Sequence, residues 1–164
     1  MPPKNSQRVM AHHLFYSYTM PMTKATMKAF KKYCEDEGLR VTPPRVDALS
    51  IVHKALKPIT AYEVLEEMGK THKNPKPPTA YRALDFLEEH GFIHRIESLN
   101  AYISCDVNHH HSGSQFMICD SCGSAEEIHL CTLPQKLQDK VESENFTLHH
   151  WNVELHGKCA KCNA

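Results

Sequence analysis

The sequence predicts an α+β protein built from an N-terminal winged helix-turn-helix domain and a C-terminal α/β dimerisation domain. Three observations carry this expectation. A series of short amphipathic segments with helix-start and helix-stop residues leads into two strand-like runs, FIHRIE and AYISC. Two C-x-x-C pairs follow, Cys119/Cys122 and Cys159/Cys162, with 36 residues between them. Charge also divides unevenly: residues 1–104 hold 15 Lys and Arg against 11 Asp and Glu, and residues 105–164 hold 4 against 8. A formal net charge of zero thus conceals a basic first half, which suits an anionic partner.

Composition sets the outer limits. A chain of 164 residues can build one sizeable core or two small domains. No apolar run reaches 18 residues, so no membrane span is expected. Lys4 and Arg8 precede no apolar stretch of useful length, so no signal peptide is expected either. Seven cysteines, an odd number, fit a reducing cytoplasm with metal sites better than a disulfide framework. Thirteen histidines are present, seven of them after residue 105.

The elements can be justified in order. Pro2, Pro3 and Pro21 interrupt any pattern in residues 1–23, which are expected to form a poorly specified arm. From Lys24 to Glu37, Met27, Phe30 and Cys34 recur at helical spacing, and Gly38 suits the position just past a helix end. Thr42 before Pro43 predicts the next helix start, with Val46, Leu49, Val52 and Leu56 as its buried stripe. Thr60-Ala61-Tyr62-Glu63 has the pattern of a capping box, opening a short helix buried through Val64, Leu65 and Met68. A basic, proline-rich connector from Lys73 to Pro78 precedes TAYRALDFLEEHG, in which Tyr81, Leu84 and Leu87 share a face and Gly91 ends the helix. FIHRIE and AYISC then flank Leu99-Asn100 as a β-hairpin.

Short helices with small turns followed by a hairpin make a winged helix-turn-helix. Its recognition element would be the TAYRALDFLEEHG helix, whose first turns offer Thr79, Tyr81 and Arg82 to the bases. Arg82 can donate two hydrogen bonds to a guanine edge, and Tyr81 can meet a phosphate or a thymine methyl. The competing reading places Tyr81 in the core and Arg82 in a surface ion pair with Asp85 or Glu89. Helix order and the nearby basic residues Arg45, Lys73, Lys76 and Arg95 favour DNA.

The cysteine pairs point to a metal. Each C-x-x-C turn can aim two thiolates at one ion, and four thiolates in a tetrahedron bind zinc in a closed, structural site. Two disulfides or a thioredoxin-like redox motif are the alternatives, but a redox site gains nothing from a second pair. The hairpin suggests a second site. With Leu99 and Asn100 as its loop, His94 falls directly opposite Cys105, close enough for both to bind one ion. A thiolate with an imidazole suits Zn²⁺, and any of His109, His110 and His111 can add a third ligand. In the C-terminal half, Gln115–Cys119 and Ala125–Leu130 read as strands, Leu133, Leu137 and Val141 mark a helix, and Phe146–Leu155 reads as a further strand. This layer is too thin to bury both faces of its sheet, which favours a dimer.

KPPTAYRALDFLEEHGFIHRIESLNAYISC, VTPPRVDAL, FMICDSCG and HGKCAKC together resemble the ferric uptake regulator superfamily, and within it most closely the zinc uptake regulator branch. Pro44 stands where the family more often has Gln, and the similarity runs from about Lys24 to the end. The resemblance implies an arm at 1–23, a DNA-binding domain at 24–105 with wing and hinge at 92–110, and a zinc-stapled dimerisation domain at 111–164. It implies a structural zinc on Cys119, Cys122, Cys159 and Cys162. It further implies a regulatory zinc on His94, Cys105, a histidine of the 109–111 tract (His111 is the choice here) and Glu127. With two zinc ions per protomer, the protein would be a cytoplasmic homodimeric repressor that binds operator DNA and controls zinc-import genes. Some relatives bind a further ion through histidines such as His150.

Other functions fit less well. A zinc hydrolase or deaminase would carry H-E-x-x-H, or H-x-E with P-C-x-x-C, and neither occurs, so no enzyme activity and no small-molecule substrate are expected. An iron or peroxide sensor of the same fold is disfavoured by the sulfur of Cys105. A zinc-ribbon adaptor that binds only protein leaves the basic recognition helix unexplained. Cys34 reads as core on the first helix, and Cys131 has no assigned role.

Overall fold

Local chemistry sets where the helices begin and end. The computed structural model describes residues 24–73, 75–105, 114–128, 130 and 132–163. Along the chain lie α1 (Lys24–Asp36), α2 (Pro43–Lys54), β1 (Ile59–Thr60), α3 (Ala61–Gly69), α4 (Pro77–Glu89), β2 (Ile93–Ile96) and β3 (Ala101–Ser104). Then come β4 (Gln115–Cys119), β5 (Ala125–Glu127), α5 (Gln135–Ser143) and β6 (Val153–Gly157). The fold is the α+β class expected, a winged helix-turn-helix followed by an α/β unit. Residues 1–23, the tract His109–His111 and Cys131 lie outside the described residues.

The capping box of α3 forms as its sequence pattern predicts. Glu63 N–H donates to Thr60 Oγ1 at 3.2 Å, and Thr60 N–H donates to Glu63 Oε2 at 2.8 Å. Two N–H groups that the helix leaves without a partner are thereby satisfied. Thr42 takes the N-cap position of α2 in an extended conformation, but its side chain makes no capping bond. Its carbonyl instead accepts the N–H groups of Arg45 and Val46. Helix α4 begins at Pro77, two residues before the expected Thr79, because a proline loses nothing in a first turn whose N–H groups have no helical acceptor. Gly91 ends that helix at φ +71°, a left-handed conformation that costs glycine little.

Phe30 and Cys34 of α1, Leu49 and Val52 of α2, Val64 and Met68 of α3, and Leu84 and Leu87 of α4 form one buried core with Ile93 and Tyr102 of the hairpin. Each fully buried Leu or Phe in it contributes roughly 1.5–3 kcal/mol relative to an exposed one. Two expected members are absent. Leu56 is 68% exposed, because α2 stops at Lys54 and the helical stripe ends with it. Tyr81 is 50% exposed and does not share the buried face of Leu84 and Leu87.

The hairpin register also differs from expectation. Residues 97–100 form a four-residue loop, with Asn100 at φ +46°, so Ile96 pairs with Ala101 and His94 with Ile103. Cys105 lies past the strand end, its N–H donating to Phe92 O at 3.2 Å. It is therefore a diagonal neighbour of His94 rather than its direct partner, though on the same face. The two-residue β1, which the sequence did not announce, pairs with β3 and makes β3 the centre of a three-stranded sheet.

The C-terminal sheet has the order β5-β4-β6. β5 pairs antiparallel with β4, whereas β6 returns parallel to it. Both outer strands are shorter than expected: β5 stops at Glu127, and β6 starts at Val153 rather than Phe146. Phe116 and Ile118 pack with Ile96 and Ile103 of the hairpin. Met117 and Leu155, paired on the opposite face, are about half exposed, as is Leu137 of α5, and Phe146 is more exposed still.

Loss of the cap in Thr60→Ala is expected to cost about 1 kcal/mol, and Leu84→Ala about 2–5 kcal/mol. Chemical denaturation followed by circular dichroism checks both, and Leu84→Ala losing no more than the surface cap would contradict the core described here.

Candidate metal centres and nucleic-acid interface

Parallel pairing of β4 with β6 brings both cysteine turns to one end of the sheet. Cys119 lies beside Gly157, and Asp120 N–H donates to Gly157 O at 2.8 Å. Each turn closes on itself: Gly123 N–H donates to Cys119 O at 2.8 Å, and Cys162 N–H to Cys159 O at 2.9 Å. Gly123 adopts φ +70° as the first turn redirects the chain towards β5. The four sulfurs all lie within 4.8 Å of one another, and Cys122 and Cys159 are 3.9 Å apart. A tetrahedron with zinc–sulfur bonds of about 2.3 Å has edges of about 3.8 Å. A disulfide needs about 2.05 Å, and none of the described cysteines forms one.

Electrostatics favour the same use. The Cys159 N–H donates to Cys119 Sγ at 3.3 Å and, with the amides of Cys122 and Ser121, lowers the Cys119 thiol to about 6. The Ser124 hydroxyl and amide pull Cys122 down as well. Crowding by the sulfurs of Cys159 and Cys122 pushes Cys162 up to about 12. Four sulfurs this close can all ionise only around a cation, and soft thiolates select zinc among the common divalent ions.

The second cluster joins the two sheets. His94 of β2, Cys105 just past β3 and Glu127 of β5 bring one ligand atom each to within 4.8 Å of one another. His94 Nε2 stands 3.4 Å from Glu127 Oε1, with both side chains only 14% exposed. That nitrogen is buried and faces the Cys105 thiol and the Glu127 carboxylate, as a ligand atom does when it converges with others on one ion. On the other side of the ring, Nδ1 lies 3.0 Å from Ser114 Oγ. Ser114 is in turn held by Asn152, whose Oδ1 accepts its N–H at 3.0 Å. Bonding one ring nitrogen fixes the orientation in which the other meets a metal. Burial alone would lower the His94 pKa, but the Cys105 thiol and Glu127 carboxylate beside it raise it to about 9. The pocket thus favours positive charge, and a divalent ion entering it competes with a proton.

The structure brings together three of the four residues expected at this site, while His111 lies outside the described residues. Ser114 and Asn152 went unnoticed in the sequence, where a Ser after a His-rich run and an Asn before a strand have no distinguishing spacing. Among the described residues no metal-binding cluster includes His150.

Of the residues expected to meet DNA, Tyr81 and Arg82 are exposed on α4, and Thr79 is half-buried in its first turn. Arg82 makes no ion pair with Asp85 or Glu89. Arg45 is differently placed: its guanidinium sits 3.3 Å from the centroid of the Phe86 ring, and Nη1 donates to Arg40 O at 2.5 Å. Its charge therefore braces α2 against α4. No helix among the described residues is long and apolar enough to cross a membrane.

A family model described as the ferric uptake regulator family matches residues 36–156. The zinc uptake regulation protein of Escherichia coli (strain K12) is 34% identical over 142 residues, covering 85% of this chain and 82% of that protein. A ferric uptake regulation protein of Staphylococcus epidermidis is 30% identical over 134 residues, covering 80% and 92%. Among solved structures, a zinc uptake regulator complexed with zinc and DNA superposes with a TM-score of 0.79 at 33% identity, covering 86% of this chain and 97% of that one. The holo form of XcZur gives 0.76 at 36% identity, covering 86% and 99%.

Cys122→Ser is expected to lose tightly held metal and to loosen the β4–β6 end of the sheet, as read by metal analysis and thermal melting. Ser114→Ala is expected to weaken metal binding at His94 by about 10–100-fold while the four-sulfur site stays loaded, which chelator competition measures.

Proposed function

Since the chain belongs to the ferric uptake regulator family, we propose that it is a zinc-responsive transcriptional repressor that binds operator DNA as a homodimer in the cytoplasm and controls zinc-uptake genes. The carrying observation is the convergence of His94 and Cys105, from the hairpin, with Glu127, from the C-terminal sheet. A site assembled from both sheets is complete only when they are docked, so occupancy and docking are linked. Cys119, Cys122, Cys159 and Cys162 would hold a permanent structural zinc. His94, Cys105 and Glu127, with His111 as the fourth ligand, would hold an exchangeable one, giving two per protomer. When bound, the second ion supplies the positive charge that draws a thiolate, a carboxylate and imidazole together.

Cys105 supports zinc over iron, since a sulfur ligand suits the softer ion. The likeness to a zinc uptake regulator complexed with zinc and DNA supports the same reading. Residues 24–105 would read DNA through Thr79, Tyr81 and Arg82, with Arg45 at the edge of the contact. Residues 111–164 would pair two protomers through the exposed apolar face of Met117 and Leu155. Pairing would set the two recognition helices at successive major-groove faces, about 34–36 Å apart. Metal and DNA would each tighten the other's binding, a coupling usually worth about 1–3 kcal/mol.

Fluorescence anisotropy on an operator fragment, with and without zinc, tests this reading. Arg82→Ala is expected to lose about 1–3 kcal/mol of specific affinity with zinc content intact. Cys105→Ser is expected to remain a folded dimer whose DNA binding no longer follows zinc. Zinc-independent binding by the unsubstituted protein would refute the repressor reading.

A further inference from the structure

One contact between the hairpin and the C-terminal sheet involves no candidate metal ligand. Glu154 of β6 lies beside Phe116 of β4 in parallel register, so its side chain shares the sheet face that meets the hairpin. Its Oε1 accepts the Glu97 N–H at 2.7 Å, and its Oε2 accepts the Ser98 N–H at 3.1 Å. These amides belong to the loop at the hairpin tip, 57 and 56 residues away along the chain. The carboxylate is only 16% exposed. His156 backs it, with Nε2 3.8 Å from Glu154 Oε2 and Nδ1 3.1 Å from Asp120 Oδ1 in the first cysteine turn. Burial would raise the Glu154 carboxyl, but the Ser98 hydroxyl and the two amides outweigh it and hold the group below the usual carboxylate range.

We propose that Glu154 is a positioning residue, a clasp that docks the hairpin tip on the C-terminal sheet and so sets the spacing at which His94, Cys105 and Glu127 meet. The proposal rests on the reading of that cluster as the regulatory site. His94 lies three and four residues from the clasped amides, roughly 10–13 Å along a strand. A hairpin pinned only at the metal end can pivot about it, whereas one pinned at both ends cannot. Between the two pins lie Ile96 and Ile103 against Phe116 and Ile118. Breaking the clasp lowers the fraction of molecules in the docked arrangement, and apparent metal affinity falls by that fraction although no ligand is touched.

The test compares wild type, Glu154→Gln and Glu154→Ala, each carrying zinc in the four-sulfur site, by chelator competition for the second zinc. Glu154→Ala is expected to bind it about tenfold more weakly, since two hydrogen bonds to a charged acceptor are lost. Glu154→Gln should fall between, because its carbonyl oxygen still accepts one amide. Amide exchange followed by NMR should show Glu97 and Ser98 unprotected in the Ala variant, with helical content and four-sulfur zinc unchanged. In operator binding, the midpoint should move to higher free zinc while the plateau stays. Unchanged affinity for the second zinc in both variants overturns the clasp. So does a lowered plateau with unchanged zinc affinity, which would make Glu154 a DNA contact, and so does loss of the four-sulfur zinc in the Gln variant. Wild-type DNA binding that ignores zinc would instead refute the repressor reading, leaving the chelator result to decide the clasp.

Discussion

Ile96 and Ile103 face Phe116 and Ile118 across the junction of the two sheets, while Ile93 and Tyr102, on the other side of the same hairpin, belong to the helical core. All four residues of β3 are buried in consequence. A strand buried on both sides tolerates no slip in register, because a one-residue shift would exchange its two sets of side chains. This constraint fixes His94 and Cys105 on the side that looks at the C-terminal sheet. It is also why a cluster of ligands can form between elements far apart in the chain.

The two clusters differ in what they depend on. The four sulfurs sit at the end of a single sheet, where parallel strands and two tight turns deliver them together. That site lies within one sheet, across the ends of β4 and β6. The His94, Cys105 and Glu127 cluster has no such local support and exists only while hairpin and sheet are apposed. On the proposed reading, stability and responsiveness would be separated: the first cluster would be permanent, and the second would carry the conformational dependence.

Much of this was legible in the sequence. The capping box at Thr60 and Glu63 follows from residue types at a fixed offset, as do the cysteine turns and Gly91, which ends α4. Errors arose where tertiary context decided. Leu56 continues a helical stripe in the sequence but lies past the helix end. The hairpin loop has four residues because Asn100 accepts a left-handed conformation, which set Cys105 two residues beyond Ile103, the partner of His94. β6 spans the same five positions as its partner β4 and not its own apolar run. Ser114, Asn152 and Glu154 carry no sequence signature, since each matters only through a neighbour that the topology brings near. The stacking of Arg45 on Phe86 was likewise invisible in the sequence, where only its charge could be read.

The parallel return of β6 to β4 also governs the order of assembly during synthesis. Every member of the helical core precedes Cys105, so that unit can close while later residues are still in the ribosomal tunnel. The C-terminal sheet cannot, because β4 waits for a partner some forty residues downstream. Until Val153–Gly157 emerges, one edge of β4 and the first cysteine pair lack their partners. The nascent chain therefore completes its helical core before the β4–β6 pair of the C-terminal sheet can exist.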